Sequence, residues 1–351
     1  MMMKKKIALV CGLLFALSCC LTGCKDNRTV LNIYNWEDYI DESVLEDFEK
    51  EYPDIKINYE RFVTNEDMYN KIVNSNSSYD LLFPSDYMIE KMIEEDLLAK
   101  LDFSNIPNYQ YIDDTFKNLD YDPNNEYSVP YMWGTLGILY NTNMVDEEEI
   151  TWDILFGDKY EGQILMMDSV RDAMGAALKS LGYSLNSSNP EEITAAKEKL
   201  IEQKKIILAY GFDDIKDKMV AGEAAVALVY AGDALYAINQ NPDLAYAVPS
   251  EGSNLFFDAM VIPANSQHKE EAELFINFMC STDAAKRNAD YIEYYSVQTE
   301  AIEQIKAEND NDAFTYPTDE QLENCEIFHT LDTDTLALYN KAWTEVTTTT
   351  N

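Results

Sequence analysis

From Thr29 onward, short β-forming runs alternate with amphipathic helical stretches, and this alternation narrows the fold more than any other feature of the chain. Residues 29–34 (TVLNIY) read as a strand. Residues 41–52 read as a helix, with Asp41 as N-cap and Val44, Leu45 and Phe48 on one face. Residues 55–62 return to strand, 65–73 to helix, 79–83 to strand and 86–95 to helix. That order predicts an α/β fold whose mixed, mostly parallel sheet is flanked by helices. The pattern resumes with strands over 163–167, 224–230 and 255–262. Further helices are expected over 170–181, 189–203 (opened by Pro190), 216–222, 233–239 and 269–280. The length of 351 residues suggests about two domains. No Pro- or Gly-rich linker separates the halves, so the chain is expected to cross between them through ordered strands. Residues 347–350 read as a frayed tail.

The N-terminus stands apart. Lys4, Lys5 and Lys6 precede an apolar run over 7–21 that is too short for a transmembrane helix. Residues 1–23 therefore read as a signal peptide. Its end, Leu21-Thr22-Gly23-Cys24, resembles the lipobox of bacterial lipoproteins, which implies a lipidated Cys24 and a membrane anchor. Four of the six cysteines lie in this leader, and Cys280 and Cys325 are left either to pair or to be buried separately.

The chain carries 26 basic against 64 acidic residues, a formal charge of −38. That balance argues against nucleic acid as a partner, because such binding relies on Lys and Arg against phosphates. A field of this sign attracts cations instead. With two histidines, a His-based metal centre or general base is not expected, and no metal or other cofactor is predicted. No nucleotide-binding or nucleophile-elbow motif occurs. A surface-anchored hydrolase using two carboxylates stays open as a rival, since 64 acids always furnish pairs. Tyr294-Tyr295 is compatible with a ferric-ion pair, or with one wall and one core residue.

Several strand ends are followed by aromatic–acid clusters: residues 35–39, 84–87, 168–172, 229–233 and 256–258. Ligands of open α/β sheets bind outside the carboxyl ends of strands. π-Faces there attract an ammonium and cover methylenes, and carboxylates pair with its charge. The pattern suits a flexible organic cation.

Residues 31–295 resemble the spermidine/putrescine-binding proteins of polyamine ABC transporters. The resemblance is carried by NIYNWEDYI (32–40), MYNKI (68–72), YDLLFPSDYMIEKM (79–92), YDPNNEYSVPYMWGT (121–135), VRDAMGAALKSLGYS (170–184) and FDAMVIPANS (257–266). It implies a two-domain, type II periplasmic binding protein fold that closes over its ligand. The implied lobes are 28–134 plus 258–301 and 135–257 plus 302–351, with crossovers at 131–135 and near Phe256. The implied ligand wall is Trp36, Glu37, Asp38, Tyr39, Ser85, Tyr87, Asp172, Tyr230, Phe256, Asp258 and Tyr294. Implied partners are a polyamine and the transporter's permease and ATPase, bound by a monomer without enzymatic activity. A type II binding protein for another cation, an iron chelate or a sugar is the alternative within the class. The sequence departs from the family at Ser169, where an acid is usual, at Tyr230 and Phe256, where tryptophans are usual, and at Phe328, where a glutamine is usual. One acid fewer favours putrescine over spermidine, unless Asp86 or Asp168 supplies the charge.

Overall fold

The computed structural model describes residues 27–74, 78–308 and 317–349. The signal peptide and Cys24 lie outside these. Among the described residues there are ten strands: β1 (Thr29–Trp36), β2 (Ile55–Phe62), β3 (Leu81–Leu82), β4 (Ser128–Asn141), β5 (Ile164–Met167), β6 (Ala209–Gly211), β7 (Val226–Tyr230), β8 (Leu244–Ala247), β9 (Leu255–Val261) and β10 (Tyr295–Ser296). They form one hydrogen-bonded path, β2-β1-β3-β9-β4-β7-β5-β6, with β8 and β10 also paired to β4. Pairing is parallel for β1 with β2 and β3, and for β5 with β6 and β7. It is antiparallel wherever β4 or β9 takes part.

β4 is the spine. Its 14 residues read SVPYMWGTLGILYN, and all but Tyr140 are buried. A strand buried on both faces has no polar alternation, so its period is invisible in the sequence. Pro130 cannot donate to a ladder, and the register with β9 shifts between Pro130 and Met132. The Tyr131 hydroxyl there donates to the Tyr39 carbonyl at 2.9 Å. Buried apolar residues form two clusters, and β4 feeds both. Val129, Tyr131, Met132 and Trp133 join the first with Leu31, Phe48, Leu81 and Phe275. Leu136, Ile138 and Leu139 join the second with Trp152, Met174, Leu228 and Tyr339.

Helices start where polar caps allow it. Asp41 accepts from the Ser43 N–H at 2.9 Å, and Asn189 accepts from Glu191 N–H ahead of the Pro190–Gln203 helix. The sequence reading is corrected at the C-terminus. Helix Thr333–Thr348 runs through the first two residues of the expected tail and buries Tyr339, Ala342 and Val346. The Lys204 ammonium donates to the carbonyls of Val346, Thr347 and Thr349 and so satisfies the end of that helix. Cys280 and Cys325 are free thiols.

Candidate functional site

Asp258 is the fourth residue of β9, paired with Met132 of β4, so it lies inside a strand rather than past its end. Its carboxylate is buried and accepts from two hydroxyls, Tyr39 at 2.6 Å and Ser85 at 2.7 Å. Burial pushes its pKa up to about 6, against the lowering effect of those two donors. Both donors are held from behind. The Asn65 amide donates to Ser85 Oγ at 3.1 Å, and its oxygen accepts from Ser85 N–H at 3.2 Å. The Tyr39 ring stands edge-on to Tyr131 and Tyr294, with centroids at 5.6 and 5.3 Å.

An aromatic wall continues from this acid. Phe256 is two residues earlier on β9, hence on the same face as Asp258. Its ring lies 5.2 Å from Tyr230 and 6.0 Å from Tyr294. Gly134 of β4 makes room for it, because a Cβ there would fall 2.7 Å from the Phe256 ring. Tyr294 is packed more tightly still: a Cβ on Gly232 would meet its ring at 1.9 Å. Tyr295 turns inward and packs on Trp133 at 4.9 Å, so the tyrosine pair is one wall and one core residue. Tyr87 borders Phe328 at 6.2 Å.

Asp172 approaches the wall from the second cluster. It sits in the first turn of helix Val170–Ser180, whose N-cap is Ser169. Its carboxylate accepts from the Ser169 hydroxyl and, at 2.9 Å, from Tyr230. Burial raises its pKa, opposed by these donors and by Arg171. Arg171 is itself buried, 4.2 Å from the Phe328 ring centroid and 5.5 Å from that of Tyr87. Asp233, opening helix Ala231–Gln240, pairs with Lys216 at 3.2 Å. Asp38 is exposed, has a positive φ of 44°, and lies near enough to that pair for its charge to act on both members.

The chain matches the family model for bacterial extracellular solute-binding protein over residues 43–315. The chain belongs to that family. It is 35% identical over 303 residues to the spermidine/putrescine-binding periplasmic protein of Escherichia coli, covering 86% of this chain and 87% of the relative. Among solved structures it resembles the spermidine/putrescine ABC transporter substrate-binding protein PotD of Streptococcus pneumoniae. There the identity is 39% and the TM-score 0.79, over 91% of this chain and 98% of that one. The Tp0655 (TpPotD) lipoprotein of Treponema pallidum is 29% identical with a TM-score of 0.81, over 90% and 99%. The fold is that of type II periplasmic binding proteins, and the family and these relatives are extracytoplasmic transport proteins rather than enzymes.

In this solute-binding protein the expected wall residues are unevenly brought together. Tyr39, Ser85, Phe256, Asp258 and Tyr294 form one connected group, and Tyr230 links it to Asp172. Trp36 is largely committed: its indole N–H donates to the Phe83 carbonyl at 2.7 Å and its ring packs on Phe62. Glu37 and Asp38 are exposed. Asp86 is corrected as a spare ligand acid. It is fully buried, and its carboxylate accepts the N–H of Tyr87 at 2.7 Å and of Phe257 at 3.1 Å. Asp168 remains exposed. Asn65, Arg171 and Lys216 were not read from the sequence, since a single Asn at a helix start or a lone cation carries no periodic signal.

Proposed function

We propose that this chain is the extracytoplasmic polyamine-capturing component of an ABC uptake transporter, with putrescine preferred to spermidine and no catalysis of its own. The observation that carries the reading is Asp258. Among the described residues its hydrogen-bond donors are two hydroxyls and no cation, inside a wall of tyrosine and phenylalanine rings. A buried carboxylate so placed lacks a counter-charge that an ammonium supplies. The rings of Tyr39, Phe256, Tyr230 and Tyr294 suit the methylenes between two ammonium ends. What the E. coli and S. pneumoniae relatives are named for points to the same ligand class. Preference for putrescine is supported by Ser169, which spends its hydroxyl on Asp172 where the family places a further acid.

In this proposal the lobes are 28–134 plus 258–301 and 135–257 plus 302–351, and they close over the ligand about β4 and β9. The two buried clusters, both fed by β4, support that division. A monomer anchored through lipidated Cys24 delivers ligand to the permease; the T. pallidum relative is itself named a lipoprotein. Calorimetry of the chain from Lys25 onward against putrescine, cadaverine, spermidine and spermine tests the reading. Saturable binding with putrescine at least about tenfold tighter than spermidine is expected. No heat with any of the four overturns it.

A further inference from the structure

Two of the acids near the wall already have cations of the protein's own. Arg171 directly precedes Asp172 and its charge acts on it, while Lys216 binds Asp233. Lys216 is the more telling. Its ammonium, on helix Asp214–Val220, lies 3.2 Å from Asp233 Oδ1 and 5.4 Å from the Tyr236 ring centroid. Its side chain is 18% exposed. It lines a small cavity together with Asp213, Asp233 and the wall residue Tyr230. The charge of Asp38, on the first-strand loop, acts on Lys216, and Glu293, next to Tyr294, feels the lysine's charge. Burial weighs against the charge of Lys216, but Asp233, Asp213 and Asp38 outweigh it and hold the group protonated.

We propose that Lys216 is a built-in ammonium that fills one end of the cleft and so limits how many ammonium groups a ligand can bring. The inference rests on the polyamine reading and adds the residue that sets ligand charge. A lysine side chain is an ammonium on four methylenes, one methylene longer than the aminopropyl arm that distinguishes spermidine from putrescine. Lys216 therefore supplies from the protein what the third ammonium of spermidine would bring. A triamine must displace it or place a second cation beside it, and like charges at short range are disfavoured. Asp258, with hydroxyl donors alone, is left for the ligand.

A purely structural ion pair between two helices would hold the fold and leave ligand choice untouched. The test is calorimetry with putrescine and spermidine on the wild type, Lys216→Met and Lys216→Arg at fixed ionic strength. Lys216→Met keeps the stem and removes the charge. It is expected to shift the spermidine-to-putrescine affinity ratio at least about tenfold toward spermidine. Lys216→Arg is expected to keep the wild-type ratio, and Asp233→Asn added to Lys216→Met to abolish the gain. A folded Lys216→Met protein that binds both amines with an unchanged ratio overturns this inference alone. Wild-type protein that binds neither amine overturns the polyamine reading and this inference with it.

Discussion

Asp258 shows how the side chain proposed to meet the ligand is made costly to the fold. Free aspartate titrates near pH 4, and burial has moved this one up to about 6. Between those values the folded chain holds a proton that the unfolded chain has released. Stability is therefore lost as pH rises through that window, by about 3 kcal/mol from this group. Asp258→Asn removes that cost while still accepting from one hydroxyl and donating to the other. The variant is expected to melt at or above the wild-type temperature at pH 7 without ligand, and to lose about 2–5 kcal/mol of putrescine affinity. Putrescine affinity of the wild type is expected to fall about tenfold per pH unit below 6 and to level off above it. Melting curves and titrations between pH 4.5 and 8 read all three. A loss under tenfold in a folded variant returns Asp258 to a role in holding Tyr39 and Ser85.

At the scale of elements, the site depends on where backbones come close. Helix Ala231–Gln240 opens with Gly232 against the Tyr294 ring, which follows the end of helix Thr282–Ile292. Glu293 between them is left-handed, with φ 60°, and its carboxylate accepts from Asn239 of the facing helix at 2.8 Å. Tyr294 is thus held on both sides and has little room to retreat. Alanine suits a helix better than glycine by up to about 1 kcal/mol, but the overlap with a ring held on both sides outweighs that gain, so Gly232→Ala is expected to lower the melting temperature. The added methyl collides with the ring and is expected to weaken putrescine binding more than about tenfold, measured by calorimetry. Unchanged affinity would take Tyr294 out of the wall.

For the whole molecule, the relevant contacts are those between the proposed lobes. Thr330 N–H donates to Glu90 at 2.7 Å and its hydroxyl to the Tyr87 carbonyl at 2.8 Å. A ligand that touches Asp258 on one lobe and Tyr230 or Asp172 on the other binds the closed arrangement better and shifts the population toward it. Small-angle scattering is expected to show a smaller radius of gyration with saturating putrescine than without. Equal radii with binding proven by calorimetry would set closure aside. The proposed anchor belongs to this scale too: Cys24→Ala removes the thiol proposed to carry the lipid and is expected to move the protein from the detergent phase to the aqueous one. Equal partitioning of variant and wild type would remove the lipid anchor from the proposal.

Local pattern determined much of this protein. Alternation placed β1, β2 and the amphipathic helices, because a half-buried element carries its period in its own residues, while β5, β7 and β9, buried almost throughout, were marked as short apolar runs between turn signals. Aromatic–acid clusters beside strands placed Tyr39, Phe256 and Asp258 in one neighbourhood. Tertiary structure alone decided the rest. β4 is buried on both faces, so no alternation announces it. Helix Thr333–Thr348 ends in threonines that read as a tail until Lys204, far back in the chain, binds its last carbonyls. Asp86 and Asp258 are both acids beside aromatics in the sequence. One is spent on two backbone N–H groups and the other accepts from the Tyr39 and Ser85 hydroxyls, and that difference exists only once β9 lies against the Ser85 loop. Lys216 becomes a neighbour of Asp233 and Asp38 only when three distant segments meet, since charge acts through space and the order of residues along the chain does not record it.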